Sequence, residues 1–314
     1  MKVLITGAAG FIGSYLIKEC LSRGEEVVGT FWKNDTEELV SDVKGKIQMV
    51  PCDVRDFSNV KNIIEGARPE KIFHLAAQSF PTISLEKPQE TIEINVNGTV
   101  NIFEAVRDLK INPAVVVACS SAEYGIVEEK DQPTKENQPL KPLHPYGVSK
   151  VAQDFLAYQY FKNFGIKAVR CRIFNTTGPG KTGDVCADFS KRIVEVEKGL
   201  RKNISVGNLE AWRDFTDGRD MAAALWLSSE KVEWGEAYNL CSGKIHKVGD
   251  LLEKMISMSG KNIEVISDKA LLRPTDEKII LGDNSKFVSK TGWHPNILIE
   301  KTLEDMLEWH RKKL

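Results

Sequence analysis

Lys2-Val3-Leu4-Ile5-Thr6-Gly7-Ala8-Ala9-Gly10-Phe11-Ile12-Gly13 is the stretch on which the reading of this chain turns. Val3 to Thr6 read as a short buried strand, and Phe11 to Ser22 carry a helical pattern. Between them the glycines let the backbone turn tightly, approach a pyrophosphate closely and pack the helix against the strand. The helix N-terminus adds unpaired N–H groups and a partial positive charge. Elsewhere such a glycine triplet would be a plain tight turn; opening a strand–helix unit, it reads as a dinucleotide-binding turn. No Gly-Lys-Ser/Thr ends it, which excludes a triphosphate P-loop.

Working outward, the same strand–helix alternation continues. Val27–Phe31, Ile47–Val50, Lys71–Leu75, Ala114–Cys119 and Lys167–Ile173 read as strands that are apolar on both faces. Helical patterns cover Ser58–Ala67, Pro88–Leu109 and Pro145–Phe164. This order predicts an α/β fold with a doubly wound parallel sheet over residues 1–174, taking up about 212–242 as well. After Asn175 the rhythm changes to the loop Gly178–Gly183, a helix over Ala187–Gly199, short strands, and a closing helix near Glu300–His310. Residues 175–314 are therefore expected to form mainly a smaller α/β domain facing the first across a cleft.

Bulk properties exclude several classes. Across 314 residues, 43 Lys and Arg balance 44 Asp and Glu, so no global field draws the chain to nucleic acid or to an anionic membrane. The six cysteines are scattered, without Cys-x-x-Cys or a nearby histidine cluster, which argues against disulfides and against a metal site. No apolar run reaches the length of a membrane span. The expectation is a cytoplasmic protein with reduced thiols.

Tyr146-Gly147-Val148-Ser149-Lys150 sets a phenol and an amine at i and i+4, one above the other on a helix. A phenol with a pKa near 10 is a poor acid–base group at neutral pH; a neighbouring ammonium favours the phenolate and brings it into range. Ser120-Ser121-Ala122-Glu123-Tyr124-Gly125 ends the fifth strand, placing Ser120 as the hydroxyl that holds a reacting oxygen, with Ser121 its local competitor. After the second strand, Thr30-Phe31-Trp32-Lys33 brings no carboxylate before Asp35. An acid there would bond the ribose hydroxyls of NAD, so its absence leans towards NADP, with Lys33 as phosphate partner. In Cys52-Asp53-Val54-Arg55-Asp56, Asp53 is placed for the adenine amine, and Asp56 is the better helix cap. His74 reads as structural or near the cofactor, and Asn95 as a buried amide supporting the site.

Those segments together, with His74-Leu75-Ala76-Ala77 and Asn95-Val96-Asn97-Gly98-Thr99, resemble the extended short-chain dehydrogenases that epimerise, dehydrate or reduce nucleotide sugars. The resemblance implies a Rossmann domain followed by a nucleotide-sugar domain. It further implies cofactor contacts from Gly7, Gly10, Phe11, Ile12, Gly13, Lys33, Asp53, Val54, Leu75, Ala76, Ala77, Tyr146 and Lys150. Phe174–Gly180, Val206–Phe215 and Leu272-Arg273-Pro274-Thr275-Asp276 resemble the GDP-sugar branch of that family, the GDP-6-deoxy-4-keto-mannose reductases and GDP-mannose 4,6-dehydratases. This implies substrate contacts from Ser121, Asn175, Asn208, Arg213 and Arg273. The two arginines suit a diphosphate by their bidentate geometry, or else pair with Asp214 and Asp276. The resemblance also implies a homodimer through a four-helix bundle, with Phe155, Leu156, Tyr158, Tyr160 and Phe161 as its apolar face or as core.

Reductase, dehydratase and epimerase all begin with hydride exchange at sugar C4. A dehydratase needs one more acid–base group, which in that branch resembles a Glu two residues after the first hydroxyl. That position is Ala122 here, and Glu123 is displaced by one residue, so its side chain should point elsewhere. A reductase or a 4-epimerase needs only Ser120, Tyr146 and Lys150, and the GDP-type second half favours the reductase. A catalytically silent scaffold on this fold would lack the tyrosine or the lysine, and both are present.

Overall fold

The structure, a computed structural model, describes residues 1–32, 34–271 and 277–314, with backbone alone for 34–37. The first half lays down β1 (Lys2–Thr6), α1 (Phe11–Ser22), β2 (Glu26–Phe31), β3 (Gln48–Pro51), α2 (Phe57–Ala67) and β4 (Lys71–His74). Next come α3 (Pro81–Glu86), α4 (Pro88–Ile92), α5 (Gly98–Asp108), β5 (Ala114–Ser120), α6 (Pro145–Phe164) and β6 (Ala168–Ile173). Asp56 caps α2 by accepting from the Asn59 N–H at 3.1 Å, and His144 caps α6 through the Gly147 N–H at 3.0 Å. The expected helix over Pro88–Leu109 is not uniform: a π-helical turn, Glu93–Asn97, joins α4 to α5. The extra residue in that turn rotates Asn95 inward, where it is fully buried.

In the second half follow β7 (Asn175–Thr177), α7 (Val185–Glu197), β8 (Asn203–Val206), β9 (Trp212–Asp217), α8 (Gly218–Ser228) and β10 (Ala237–Leu240). The chain closes with β11 (Ile245–Lys247), α9 (Val248–Ser259), β12 (Glu264–Ser267), β13 (Ile279–Ile280), α10 (Ser285–Thr291) and α11 (Ile299–Lys313).

The main sheet has seven strands in the order β10-β6-β5-β4-β1-β2-β3, each pair parallel. Its direction of winding reverses between β1 and β4, where such sheets open a binding crevice at their C-terminal edge. Period two explains the doubly apolar strands. Val3, Ile5, Phe73 and Val116 face one core with Leu16, Ile17, Leu225 and Trp226 of α1 and α8. Leu4, Ile72, Val115 and Val117 face the other with Val60, Ile102, Phe103 and Ala157 of α2, α5 and α6. Burying such side chains contributes roughly 1.5–3 kcal/mol each before conformational entropy is counted.

Leaving β6, the chain enters a second sheet at once. There β9 pairs with β7 and β13 in parallel and with β11 antiparallel. Of the stretch 212–242, α8 and β10 join the large sheet, whereas β9 lies in this second one. A separate core of Phe189, Ile193, Ile204, Leu251, Met255, Leu303 and Met306 sits between α7, α9, α11 and β8. All six cysteines are buried free thiols. Among the described residues no helix is long and apolar enough to cross a membrane.

Candidate active site

At the mouth of the main sheet, Gly7 takes φ +68°, and a Cβ there would lie 2.9 Å from the Cα and N of Ala76 at the end of β4. A Cβ at Gly13 would lie 2.3 Å from the Gly7 carbonyl oxygen. Any side chain at either position would push α1 off the sheet. Gly10 begins α1 with no side-chain cap, and no acid occupies the first turn. The turn therefore presents backbone N–H groups and the positive end of the helix, a donor set that fits a pyrophosphate. Leu75, Ala76 and Ala77 continue from β4 along its edge, with the Ala76 N–H bonded to Thr6 Oγ1 at 3.2 Å.

Ser120, Tyr146 and Lys150 meet at the end of β5. The Ser120 hydroxyl lies beside the Tyr146 phenol and favours its phenolate. The Lys150 ammonium lies 5.7 Å from the Tyr146 ring centre and donates to the Ala118 carbonyl at 2.7 Å. Burial pushes the phenol up to about 12, against the hydrogen bond from Ser120. Burial also draws Lys150 down to about 8, opposed by Cys119 and Glu123. At neutral pH the pair is a neutral phenol beside an ammonium, the protonation state of a proton donor.

A buried polar network fixes this group. Asn95 Nδ2 donates to Ser149 Oγ at 2.8 Å and to the Gln78 carbonyl at 3.0 Å, while its Oδ1 accepts from the Gln78 N–H at 2.8 Å. Ser149 Oγ in turn donates to the Tyr146 carbonyl at 2.7 Å. His74 bridges Thr6 Oγ1 (2.8 Å) and Thr99 Oγ1 (3.0 Å). Thr99 donates to the Asn95 carbonyl at 2.7 Å, so His74 carries its proton on Nε2 and accepts from Thr6 on Nδ1. Burial, then the charge of Lys150, lower His74 to about 3. It is a neutral structural group.

A family model described as GDP-mannose 4,6 dehydratase matches residues 4–306. The chain belongs to the GDP-mannose 4,6-dehydratase family. A GDP-6-deoxy-D-mannose reductase of Pseudomonas aeruginosa is 30% identical over 247 residues, 78% of this chain and 81% of the relative. The structure of the RMD protein from the same organism, complexed with NADPH, superposes with a TM-score of 0.87 at 25% identity, covering 100% of this chain and 99% of that one. A Thermus thermophilus UDP-glucose 4-epimerase complexed with NAD gives 0.88 at 28% identity, with 100% of both chains covered. The protein is thus an NAD(P)-dependent enzyme of nucleotide-sugar chemistry.

After Ser121 comes Ala122, whose methyl side chain can move no proton. The next residue, Glu123, is fully buried and turned into the protein. Its Oε1 accepts from the Ser120 N–H at 2.9 Å, and its Oε2 lies 3.3 Å from Arg172 Nε. Burial and Asp154 raise the pKa of its carboxyl, against the pull of Arg172. Cys119, Glu123 and Asp154 come close enough to suggest a metal, but Arg172 is already their cation, with Nε 2.9 Å from Asp154.

Other expected residues fall in different places. Asp53 and Arg55 form a two-pronged pair at 3.0 and 2.7 Å, which holds the Asp53 carboxyl below its usual value. Asp53 is therefore engaged by its own neighbour two residues on. Arg55 also lies 5.6 Å from the centre of the Trp32 ring. Asn175 donates to the Asp214 carbonyl at 3.2 Å. Arg213 donates to the Trp212 carbonyl at 2.9 Å, and Asn208 accepts from the Glu210 N–H at 2.9 Å. Asp214 bonds Ser242 and Gly243. Lys33 and Arg273, with Leu272–Asp276, lie outside the described residues.

Of the proposed dimer face, Tyr160 is core, donating to Glu104 at 2.5 Å. Leu156 and Phe161 pack on that core, and Phe155 and Tyr158 stay exposed. Sequence reasoning missed Gln78, Ser149, Thr99 and Gln153, which complete the network. Only Ser149, inside the Tyr-to-Lys turn, had a positional signal. A cavity of about 760 Å³ at the β6–β10 edge is lined by Arg170, Arg172, Glu236 and Lys286. Its charges are paired among themselves and with Asp154, so it is not part of the catalytic group.

Proposed function

We propose that the enzyme reduces the C4 ketone of a GDP-4-keto-6-deoxy-mannose, with NADPH as the favoured reductant. The observation that carries this reading is the burial of Glu123 behind Ser120, with Ala122 in the place a dehydratase needs for a second acid–base group. What remains beside Ser120 is one proton donor. A nicotinamide cofactor held by its pyrophosphate on the glycine turn would supply the hydride for C4. Tyr146 gives its phenolic proton to the C4 oxygen, Ser120 Oγ holds that oxygen, and the Lys150 ammonium stabilises the phenolate left behind.

Asn175, Asn208, Arg213 and Arg273, with Ser121, are the residues assigned to the sugar nucleotide, and Asp53 and Val54 to the adenosine end. The lean to NADPH rests on Thr30-Phe31-Trp32 bringing no carboxylate to the end of β2. Residues 1–174 with α8 and β10 act as the cofactor domain, and the remainder as the substrate domain. A homodimer through α4–α5 and α6, using exposed Val148, Phe155, Tyr158 and Phe164, and a cytoplasmic location complete the proposal.

The test is to incubate the protein with GDP-mannose alone, and separately with GDP-4-keto-6-deoxymannose plus NADPH. Oxidation of NADPH in the second mixture only is the expected result. Consumption of GDP-mannose without added cofactor would replace the reading by dehydratase or epimerase.

A further inference from the structure

Glu123 takes no part in the proton transfer proposed above, yet its carboxyl is fully buried in the turn that follows β5. A carboxyl withdrawn from water is unfavourable unless its oxygens are paired. Arg172 of β6 and Lys150 of α6 act on it as cations, and Asp154 of α6 as an anion. Arg172 Nε already donates to Asp154 at 2.9 Å. Glu123 Oε2, 3.3 Å from the same nitrogen, accepts no hydrogen bond among the described residues. On this side an apolar side chain would serve the fold as well.

The gain lies at the other oxygen. Oε1 accepts from the Ser120 N–H at 2.9 Å. Ser120 ends β5 in extended backbone, and its own Oγ accepts from the Ala122 N–H at 3.2 Å. Side chain to backbone in both directions, the two bonds box in the first turn after the strand. The box acts where the sheet gives least support. β4 stops at His74, opposite Val117, so beyond Val117 the strand is paired on the β6 side alone. A hydroxyl offers one proton and two lone pairs. With one lone pair held by Ala122, the proton and the other lone pair of Ser120 are left for the reacting oxygen and the Tyr146 phenol.

We propose that Glu123 is a positioning residue: by holding the Ser120 amide it fixes the end of β5, and with it the direction from which the serine hydroxyl meets the C4 oxygen. The proton of the reaction still comes from Tyr146. This inference rests on the role given to Ser120 above. That role is the same in reduction, dehydration and epimerisation at C4, so the inference stands apart from the choice among them.

The experiment compares kcat and KM of the full chain with Glu123→Met, Glu123→Gln, Ser120→Ala and the double variant Ser120→Ala with Glu123→Met. The substrate is GDP-4-keto-6-deoxymannose with NADPH, or GDP-mannose if that is what the native protein consumes. Thermal unfolding and NADPH fluorescence titration accompany each variant, and Glu123→Leu stands in should Glu123→Met fail to fold. Glu123→Met removes the acceptor and should lower kcat about tenfold or more, with KM and NADPH affinity within about twofold of native. Glu123→Gln keeps an oxygen for the Ser120 N–H and should recover most of that loss. In the Ser120→Ala background, Glu123→Met should lower kcat little further, because its effect passes through the serine hydroxyl. Native kcat in Glu123→Met, with Ser120→Ala slowed, would overturn the proposal alone. An equal loss with and without the serine hydroxyl would overturn it too, making Glu123 a part of the fold only. Equal losses in Glu123→Met and Glu123→Gln would do the same by giving the effect to the charge of the carboxyl. Native kcat in Ser120→Ala would overturn both the proposal and the role of the serine on which it rests.

Discussion

Around Tyr146 a buried network of side chains drawn from several elements interlocks, whereas Asn175 and Arg213 donate to the backbone carbonyls of Asp214 and Trp212 in the small sheet. The first region draws on β1, β4, β5, α5 and α6 and the π turn, and its polar atoms interlock through Thr6, His74, Thr99, Asn95 and Ser149. The second region is a small sheet whose strands run from two to six residues. On the proposed reading, the contrast separates a pre-organised reaction centre from a recognition surface that can vary without disturbing it. Changes in the first region should lower kcat or stability, and changes in the second should raise the KM for sugar nucleotide.

The largest effect expected is that of Tyr146→Phe, which removes the proton donor and keeps the ring. Turnover should fall by about 10²–10⁴, while NADPH binding stays near that of the native protein. Full activity in this variant would break the account of the catalytic group. Asn95→Ala comes next. It leaves the Gln78 backbone N–H and carbonyl unpaired and removes one of the two partners of the buried Ser149 hydroxyl, so unfolding in urea should show a loss of about 3 kcal/mol, with kcat reduced as Tyr146 loses its support. Arg213→Ala sharpens the comparison from the other side: the KM for GDP-sugar should rise about tenfold with kcat nearly unchanged. A matching fall in kcat would show that the small sheet takes part in the chemical step.

The smallest effect concerns pH. Lys150, drawn down to about 8 by burial, is charged below that value and loses its charge as the pH rises through it. The phenol, at about 12, remains protonated over the same range. In the free enzyme kcat/KM for reduction should therefore fall about fourfold between pH 7 and pH 8.5. A flat profile over that interval would detach the lysine's charge from the proton transfer.

How far the sequence revealed this arrangement follows the same division. The glycine turn, the doubly apolar strands and the Tyr-to-Lys spacing were legible because each is a local pattern with one steric or electrostatic cause. The displacement of Glu123 could be read too, since a shift of one residue turns a side chain to another direction, and Ser120 and Arg172 take it up. The π turn at Glu93–Asn97 was not legible, because one extra residue in a helix leaves the periodicity of its neighbours intact. Asp53 was read without Arg55, whose guanidinium two residues later reaches the same carboxylate. The second sheet escaped because strands of two or three residues are too short for alternation to show.

The central claim is that this geometry delivers hydride to C4 of a keto-sugar, with Tyr146 supplying the proton. It is tested most directly by running the reaction with NADPH deuterated on the transferring face and examining the product by NMR. The account predicts one deuterium, at sugar C4 and in a single configuration, with one NADPH oxidised per sugar. Product formed with the label still on the cofactor, or with deuterium at another carbon, would contradict it.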